Sequence, residues 1–259
     1  MDIVMYVISH KDFKKPKIAC YKSLLVGADF NTARLDITDN IGDNISFKNR
    51  NYCELTGLYW MWKNSSADIL GLCHYRRYFT KSPVSNSEKY FLNEEDIKRM
   101  FEKYDIIVPK KRYYKEKVIQ AINIAPNMDD VKEMEKAIAT LTPEYLDAYH
   151  NYLNGNECYL YNMCIMKKNM LDKYCEWLFK ILTFIENDYH VDNSDSYRSR
   201  LFGFLSERLI YVWIIKNIDK TKIKEVRVVK TDEGRAWLVA QDIKNRMRRV
   251  AYCIKGERN

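Results

Sequence analysis

The residues best equipped for chemistry stand together at His74-Tyr75-Arg76-Arg77, directly after the apolar run Ile69-Leu70-Gly71-Leu72-Cys73. A short buried strand that ends in cations and hydrogen-bonding rings places binding groups at the carboxyl edge of an α/β sheet. Arginine offers a planar fork that matches diphosphate oxygens, and lysine does not reproduce it. Adjacent arginines on a strand face opposite sides, so one of Arg76 and Arg77 is expected to reach a given ligand. The competing reading is an arginine pair solvated at a strand end, with His74 bonded to backbone. The group suits an anionic ligand with planar parts.

Two glutamates sit in apolar surroundings. Glu54 lies in the aromatic segment 49–64 and Glu207 in the apolar segment 200–209. Burying a lone carboxylate is costly, so each is expected to be paired or functional. For Glu54 the plain partner is Lys48, Arg76 or Arg77. For Glu207 it is Arg200 or Arg208, and the functional reading is a general base whose pKa burial raises. Asn162, alone in the apolar run 161–166, either bonds a sugar hydroxyl or satisfies neighbouring backbone. The Asp-rich loops 39–43 and 192–195 could hold a divalent cation through oxygen, or simply form turns. Lys110-Lys111-Arg112-Tyr113-Tyr114-Lys115 could track a phosphate backbone, but nothing else points to nucleic acid. The four histidines are scattered, and no GxGxxG, P-loop, GxSxG or HExxH string occurs.

The elements that must hold these groups alternate. Strands are expected at 3–8, 69–73, 105–109, 159–166 and 225–229, with a further element at 18–26. Helices are expected at 51–63, where Leu55, Leu58, Tyr59 and Trp62 fall at helical spacing, and at 94–103 with Asn93 as N-cap. Others are expected at 129–141, 143–153, 169–186, 200–218 and from 240 onward. Segments 36–46 and 82–93 read as loops, and 188–199 as a polar, mobile stretch. The alternation predicts an α/β fold with a mostly parallel central sheet flanked by helices. No linker divides the chain, so a single domain over 1–259 is expected.

The chain has 259 residues and a net charge of +8, from 43 basic against 35 acidic side chains. That excess suits a phosphate-bearing ligand or an anionic surface as readily as a lysine-rich exterior. Seven cysteines without a CxxC pair suggest neither a disulfide framework nor a zinc site. They read as small buried hydrophobes in a reducing compartment. The apolar start lacks a basic lead-in and reads as a strand rather than a signal peptide. No stretch approaches the ~18 apolar residues of a membrane span, so a cytoplasmic protein is expected, resting peripherally on a membrane face.

Several strings together resemble a known family. They are Val7-Ile8-Ser9-His10-Lys11, Tyr52 to Asn64, Gly71 to Phe79, Thr142-Pro143-Glu144-Tyr145, Asn162 to Met166, Tyr174 to Phe179 and Gly203 to Leu209. The chain resembles bacterial capsular and exopolysaccharide biosynthesis proteins that carry the glycosyltransferase-like domain of unknown function 4422. The resemblance implies a GT-A-like, Rossmann-like fold that takes a nucleotide-sugar, usually a UDP-sugar, and transfers its sugar to a lipid-linked or oligosaccharide acceptor. It implies a nucleotide-binding part at about 1–115 and an acceptor-side part at about 116–259. His74, Arg76 and Glu207 are then the expected catalytic residues. His10, Lys11, Asn49, Tyr52, Glu54, Tyr75 and Arg77 would bind the nucleotide-sugar, and Asn162, Arg200 and Arg208 would lie on the acceptor side. Many GT-A enzymes hold Mn²⁺ or Mg²⁺ with an Asp-x-Asp at a central strand end. Here His74-Tyr75-Arg76-Arg77 stands in that place, so no metal-ligating residue is assigned and the cofactor is left open. Arginine and histidine cations would stabilise a leaving UDP without a metal. The basic tail 244–250 would favour the membrane face that carries a lipid-linked acceptor. A non-catalytic carbohydrate-binding or assembly subunit of the same pathway is the alternative.

Overall fold

A computed structural model describes residues 1–121, 127–189, 191 and 193–256, with 235 and 252–256 described by backbone alone. His190 and Asp192 therefore lie outside the described residues. The first strand, β1 (Ile3–Ser9), is buried along its whole length. An uninterrupted apolar run of that kind can only be a central strand covered on both faces. β2 (Tyr21–Leu25) and the short β3 (Ile37–Thr38) follow, β3 within a segment expected to be loop. Next come α1 (Asn49–Tyr52), α2 (Leu55–Asn64), β4 (Ile69–His74) and β5 (Arg77–Thr80). α3 (Glu94–Phe101) starts on a capping box in which Asn93 and Asp96 satisfy each other's backbone amides. β6 (Ile106–Pro109), β7 (Arg112–Tyr113) and α4 (Val118–Ala121) lead to α5 (Met128–Leu141), which opens on a second capping box from Asn127 and Asp130. After α6 (Leu146–Asn154) come β8 (Glu157–Cys158), β9 (Ile165–Lys167) and the long α7 (Lys168–Asp188). α8 (Leu201–Asn217), β10 (Ile223–Lys230) and α9 (Arg235–Gly256) complete the chain.

The main sheet runs β3-β2-β1-β4-β5-β10-β6-β9, and β9 also pairs with β4. It is mixed rather than mostly parallel. β1, β2, β3 and β4 are parallel, as are β6 and β10, but β5 and β9 run antiparallel to their neighbours. The reason is local. β5 returns from β4 through a two-residue turn, and β9 enters the sheet from an irregular approach rather than from a crossover helix. α7 lies against β4 and β9 and also contacts α2, α5 and α8. α8 is buried around most of its circumference, which places it inside this helical layer rather than on its surface.

Two breaks in regularity decide where the chemistry goes. The helix expected over 51–63 is interrupted at Cys53, whose φ of 52° and ψ of −126° fall in a region that favours glycine. Asn49 stabilises the break, since its Nδ2 donates to Cys53 O and Thr56 Oγ1. Gly57 lets α2 sit close to the sheet, because a Cβ there would stand 2.7 Å from Ile8 Cδ1. The strand expected over 159–166 shrinks to β9, and Tyr161 and Asn162 take left-handed φ values of 78° and 52°. Three strained non-glycine residues, at roughly 1–3 kcal/mol each, thus sit in the two segments that meet at the carboxyl edge of β4.

Candidate active site

Parallel pairing aligns Ile8 of β1 with His74 of β4, and Tyr75 N donates to Ile8 O at 3.0 Å. The ends of two central strands therefore open side by side. The Ser9 hydroxyl accepts from Lys11 N and donates to Lys11 O, which turns the chain after β1. Tyr75 becomes the hub of this edge. His10 meets its ring edge-on at 5.6 Å, with Lys11 Nζ 5.2 Å and the Arg76 guanidinium 4.9 Å from the ring centroid. Partial burial and the neighbouring cations Lys11, Arg76 and Arg200 lower the His10 pKa. Arg76 and Arg77 do not share a strand as expected. His74 pairs with Arg77 across a tight turn of which Arg76 is part. Arg76 is exposed and bonds Asp232 at 2.8 Å, both side chains being more than 40% accessible. Such a pair contributes about 0–1 kcal/mol and yields readily to a stronger anion.

The second half of the site is built on Tyr161 and Asn162. His74 Nε2 donates to Tyr161 O at 2.7 Å, and Tyr161 N donates to Glu207 Oε1 at 3.0 Å. Burial, and then the charge of Arg77, push the His74 pKa down to about 4. His74 is thus a neutral imidazole with its proton on Nε2. It positions the backbone and does not supply the cationic charge expected of it. Glu54 accepts from Asn162 Nδ2 at 2.8 Å and has none of the ion pairs expected of it, since Lys48 pairs with Glu186 and Arg76 with Asp232. Burial raises the pKa of both Glu54 and Glu207, against the lowering influence of nearby guanidinium groups and, for Glu54, the Asn162 bond. Each carboxylate also raises or is raised by its own surroundings: the Glu54 charge adds to the upward shift of Glu207. Between them stand Arg77, over the Tyr161 ring at 4.7 Å, and Arg200, over Phe204 at 5.4 Å with Nε 3.5 Å from Cys53 Sγ. Among the described residues neither arginine forms an ion pair, and the buried Arg77 Nε has no hydrogen-bond partner. Two guanidinium groups without ion-pair partners near two carboxylates of raised pKa can bind an anion and accept a proton.

The profile of a family described as domain of unknown function (DUF4422) matches residues 4–218. The chain belongs to the DUF4422 family. This DUF4422 chain is also similar to a solved structure described as the WbbM bifunctional glycosyltransferase in its apo form, with 31% identity and a TM-score of 0.79. The likeness covers 90% of this chain and 46% of that one, so the chain spans about half the length of that relative. No functionally curated protein gives a significant match.

Several residues expected to touch ligand in this DUF4422 chain do other work. Tyr52 is buried, stacks on Phe202 at 4.6 Å and donates to Glu186. It anchors α1 on α8 and is not free for a nucleotide. Asn49 spends its amide on the Cys53 break. Asn162 is 2% exposed and commits both amide hydrogens, to Glu54 and to Gly203 O, while its Oδ1 accepts from Ser206. It holds Glu54 in place and cannot reach an acceptor. Arg208 donates to Phe204 O and stands 3.6 Å from Glu207 Oε2, the pairing expected of it. It belongs beneath the carboxylate, beside Tyr114, Tyr152 and Cys158. Cys53, Tyr161, Ser206 and Asp232 were not anticipated. For the first three the only signal was adjacency to a named residue, and for Asp232 there was none.

A protein-held divalent cation does not fit the donor set of this DUF4422 site. Among the described residues no three His, Cys, Asp or Glu side chains converge, and the end of β4 carries a neutral imidazole and guanidinium groups. The Asp39 loop is structural. Asp39 is fully buried and accepts from Gly27 N, Ala28 N and Ser46 Oγ. Within the basic run 110–115, Lys111 pairs with Glu157, and β7 pairs with β8.

Proposed function

We propose that this chain is a glycosyltransferase of GT-A-like fold that moves a sugar from a nucleotide-sugar, with UDP as the nucleotide, to a saccharide acceptor in capsular or exopolysaccharide assembly. One observation carries the reading. Arg77 and Arg200, without ion pairs among the described residues, flank Glu54 and Glu207, whose pKa values burial has raised. The likeness to WbbM supports the reaction class.

The acceptor hydroxyl gives its proton to Glu207, and its oxygen attacks the anomeric carbon. The bond from that carbon to the diphosphate oxygen breaks, and its electron pair leaves with UDP. Arg77 and Arg200 offset the charge that grows on the leaving diphosphate, a preorganised contribution that is strongest in a water-poor cleft. Arg76, Lys11 and His10 would engage the nucleotide around the Tyr75 ring. Glu207 suits the role of base better than Glu54. Its side chain keeps 22% exposure; the Tyr161 N–H occupies Oε1, and Oε2, 3.6 Å from Arg208 Nη1, retains a lone pair for substrate. Glu54 is held by Asn162 and shapes the electrostatics of the pair. A base on the acceptor hydroxyl is what a single, inverting displacement requires.

The test is Glu207→Gln, assayed by UDP release from UDP-sugars with an oligosaccharide acceptor mixture. Loss of general-base catalysis lowers kcat by roughly 10²–10⁴-fold, with UDP affinity kept. Full kcat in this variant would remove Glu207 from the reaction. If no UDP-sugar is turned over by the native chain, the non-catalytic reading takes its place.

A further inference from the structure

The last helix is turned inside out relative to an ordinary surface helix. One face of α9 docks on the body. Asp242 pairs with Arg227 at 2.6 Å, Asn245 exchanges hydrogen bonds with Tyr113 N and Lys111 O, and Leu238 packs against the core. At 100° per residue, the opposite face carries Ile243, Met247 and Val250, in steps of four and three. These three are 52%, 68% and 59% exposed. A polar outer face is the rule for a helix packed on a domain, so an apolar stripe aimed at solvent calls for a partner. Cations line this stripe. Lys244 stands on one side, and Arg246, which also pairs with Asp242 at 2.8 Å, on the other.

We infer that α9 is a surface anchor that lays this stripe into the headgroup region of an anionic lipid membrane. Charge selects this occupant. An apolar stripe flanked by lysine and arginine matches a surface that is apolar within and negative at its rim. A second copy of the chain would bring the same cations face to face, which is unfavourable. No helix among the described residues is long and apolar enough to cross a membrane, so the helix would lie in the interface plane. The inference stands independently of which sugar is moved, although a lipid-linked acceptor would make such an anchor useful.

The experiment is sedimentation of the whole chain with phosphatidylglycerol-rich vesicles and with pure phosphatidylcholine vesicles, at low and high salt. The native chain is expected to sediment with the anionic vesicles and to be released by salt. Ile243→Asp/Met247→Asp should abolish sedimentation. Lys244→Gln/Arg246→Gln should weaken partitioning roughly 25-fold, about fivefold per cation. Melting temperature and UDP binding, read on the same variants, should stay at native values, which separates loss of the anchor from loss of fold or of the active site. Absence of binding to anionic vesicles at low salt would overturn the inference. So would equal binding of the native chain and Ile243→Asp/Met247→Asp, or a concentration-dependent dimer that this variant dissolves.

Discussion

Asn162→Asp changes one buried atom pair and should turn a stable site into a pH-dependent one. The side chain keeps its shape, and aspartate tolerates the left-handed backbone that Asn162 adopts. Both donors vanish: the 2.8 Å bond to Glu54 Oε1 and the 3.0 Å bond to Gly203 O. A bond to a charged acceptor contributes about 1.5–3 kcal/mol and one to a carbonyl about 1 kcal/mol, so their loss costs about 2.5–4 kcal/mol. A second carboxylate beside Glu54, whose pKa burial already raises, adds repulsion that one shared proton relieves. A carboxyl whose folded pKa exceeds its unfolded pKa stabilises the fold below the unfolded value and loses that contribution as pH rises through the folded one. The penalty of Asn162→Asp is therefore greatest in mild alkali. It shrinks by about 1.4 kcal/mol per pH unit on acidification toward the ordinary carboxylate range. Asn162→Ala is the control, with a similar cost that lacks this added pH dependence. Urea unfolding at several pH values reads both, provided the slope m is unchanged. An Asn162→Asp chain as stable as the native one in mild alkali, or a penalty flat with pH, would refute the bond to Glu54.

Other outcomes follow from the same geometry. His74→Gln keeps a donor for Tyr161 O but removes a group whose pKa falls from an ordinary value near 6.5 to about 4. A depressed folded pKa gives stability that is present above the unfolded pKa and lost as pH falls through the folded one. The native chain should thus lose up to about 3 kcal/mol more than His74→Gln between neutrality and pH ~4, and parallel unfolding curves for the two would contradict a neutral imidazole. Cys53→Gly relieves a glycine-favouring backbone conformation, and should raise stability by about 1 kcal/mol and Tm by a few degrees. A lower Tm would mean that the thiol's packing against Arg200 and Gly203 outweighs the strain.

Much of this arrangement was legible in the sequence. The continuous apolar run 3–8 and the run 69–73 read as buried strands, and they placed His10 and His74 at one edge. Glu54 and Glu207 stood out as carboxylates in apolar helices. What stayed hidden depends on contacts far apart in the chain. The apolar spacing of 51–63 runs straight through Cys53, so periodicity gave no sign of the break that frees Glu54. Asn162 reads as a strand residue until Gly203 and Ser206 of α8 are brought against it. The partner of Arg76 is Asp232, 156 residues away, and no local pattern announces it. Strand direction was misread for a similar reason, because β5 and β9 are four and three residues long and their pairing carries no periodic signature.

The central claim is that Arg77 and Arg200 receive the diphosphate of a nucleotide. Isothermal titration of UDP into the native chain and into Arg77→Gln/Arg200→Gln tests it most directly. The native chain should bind, and loss of two charge-assisted contacts should weaken binding by roughly 100-fold or more while the melting temperature without ligand holds. Equal affinity in the two proteins, or no heat of binding in the native chain, would contradict it.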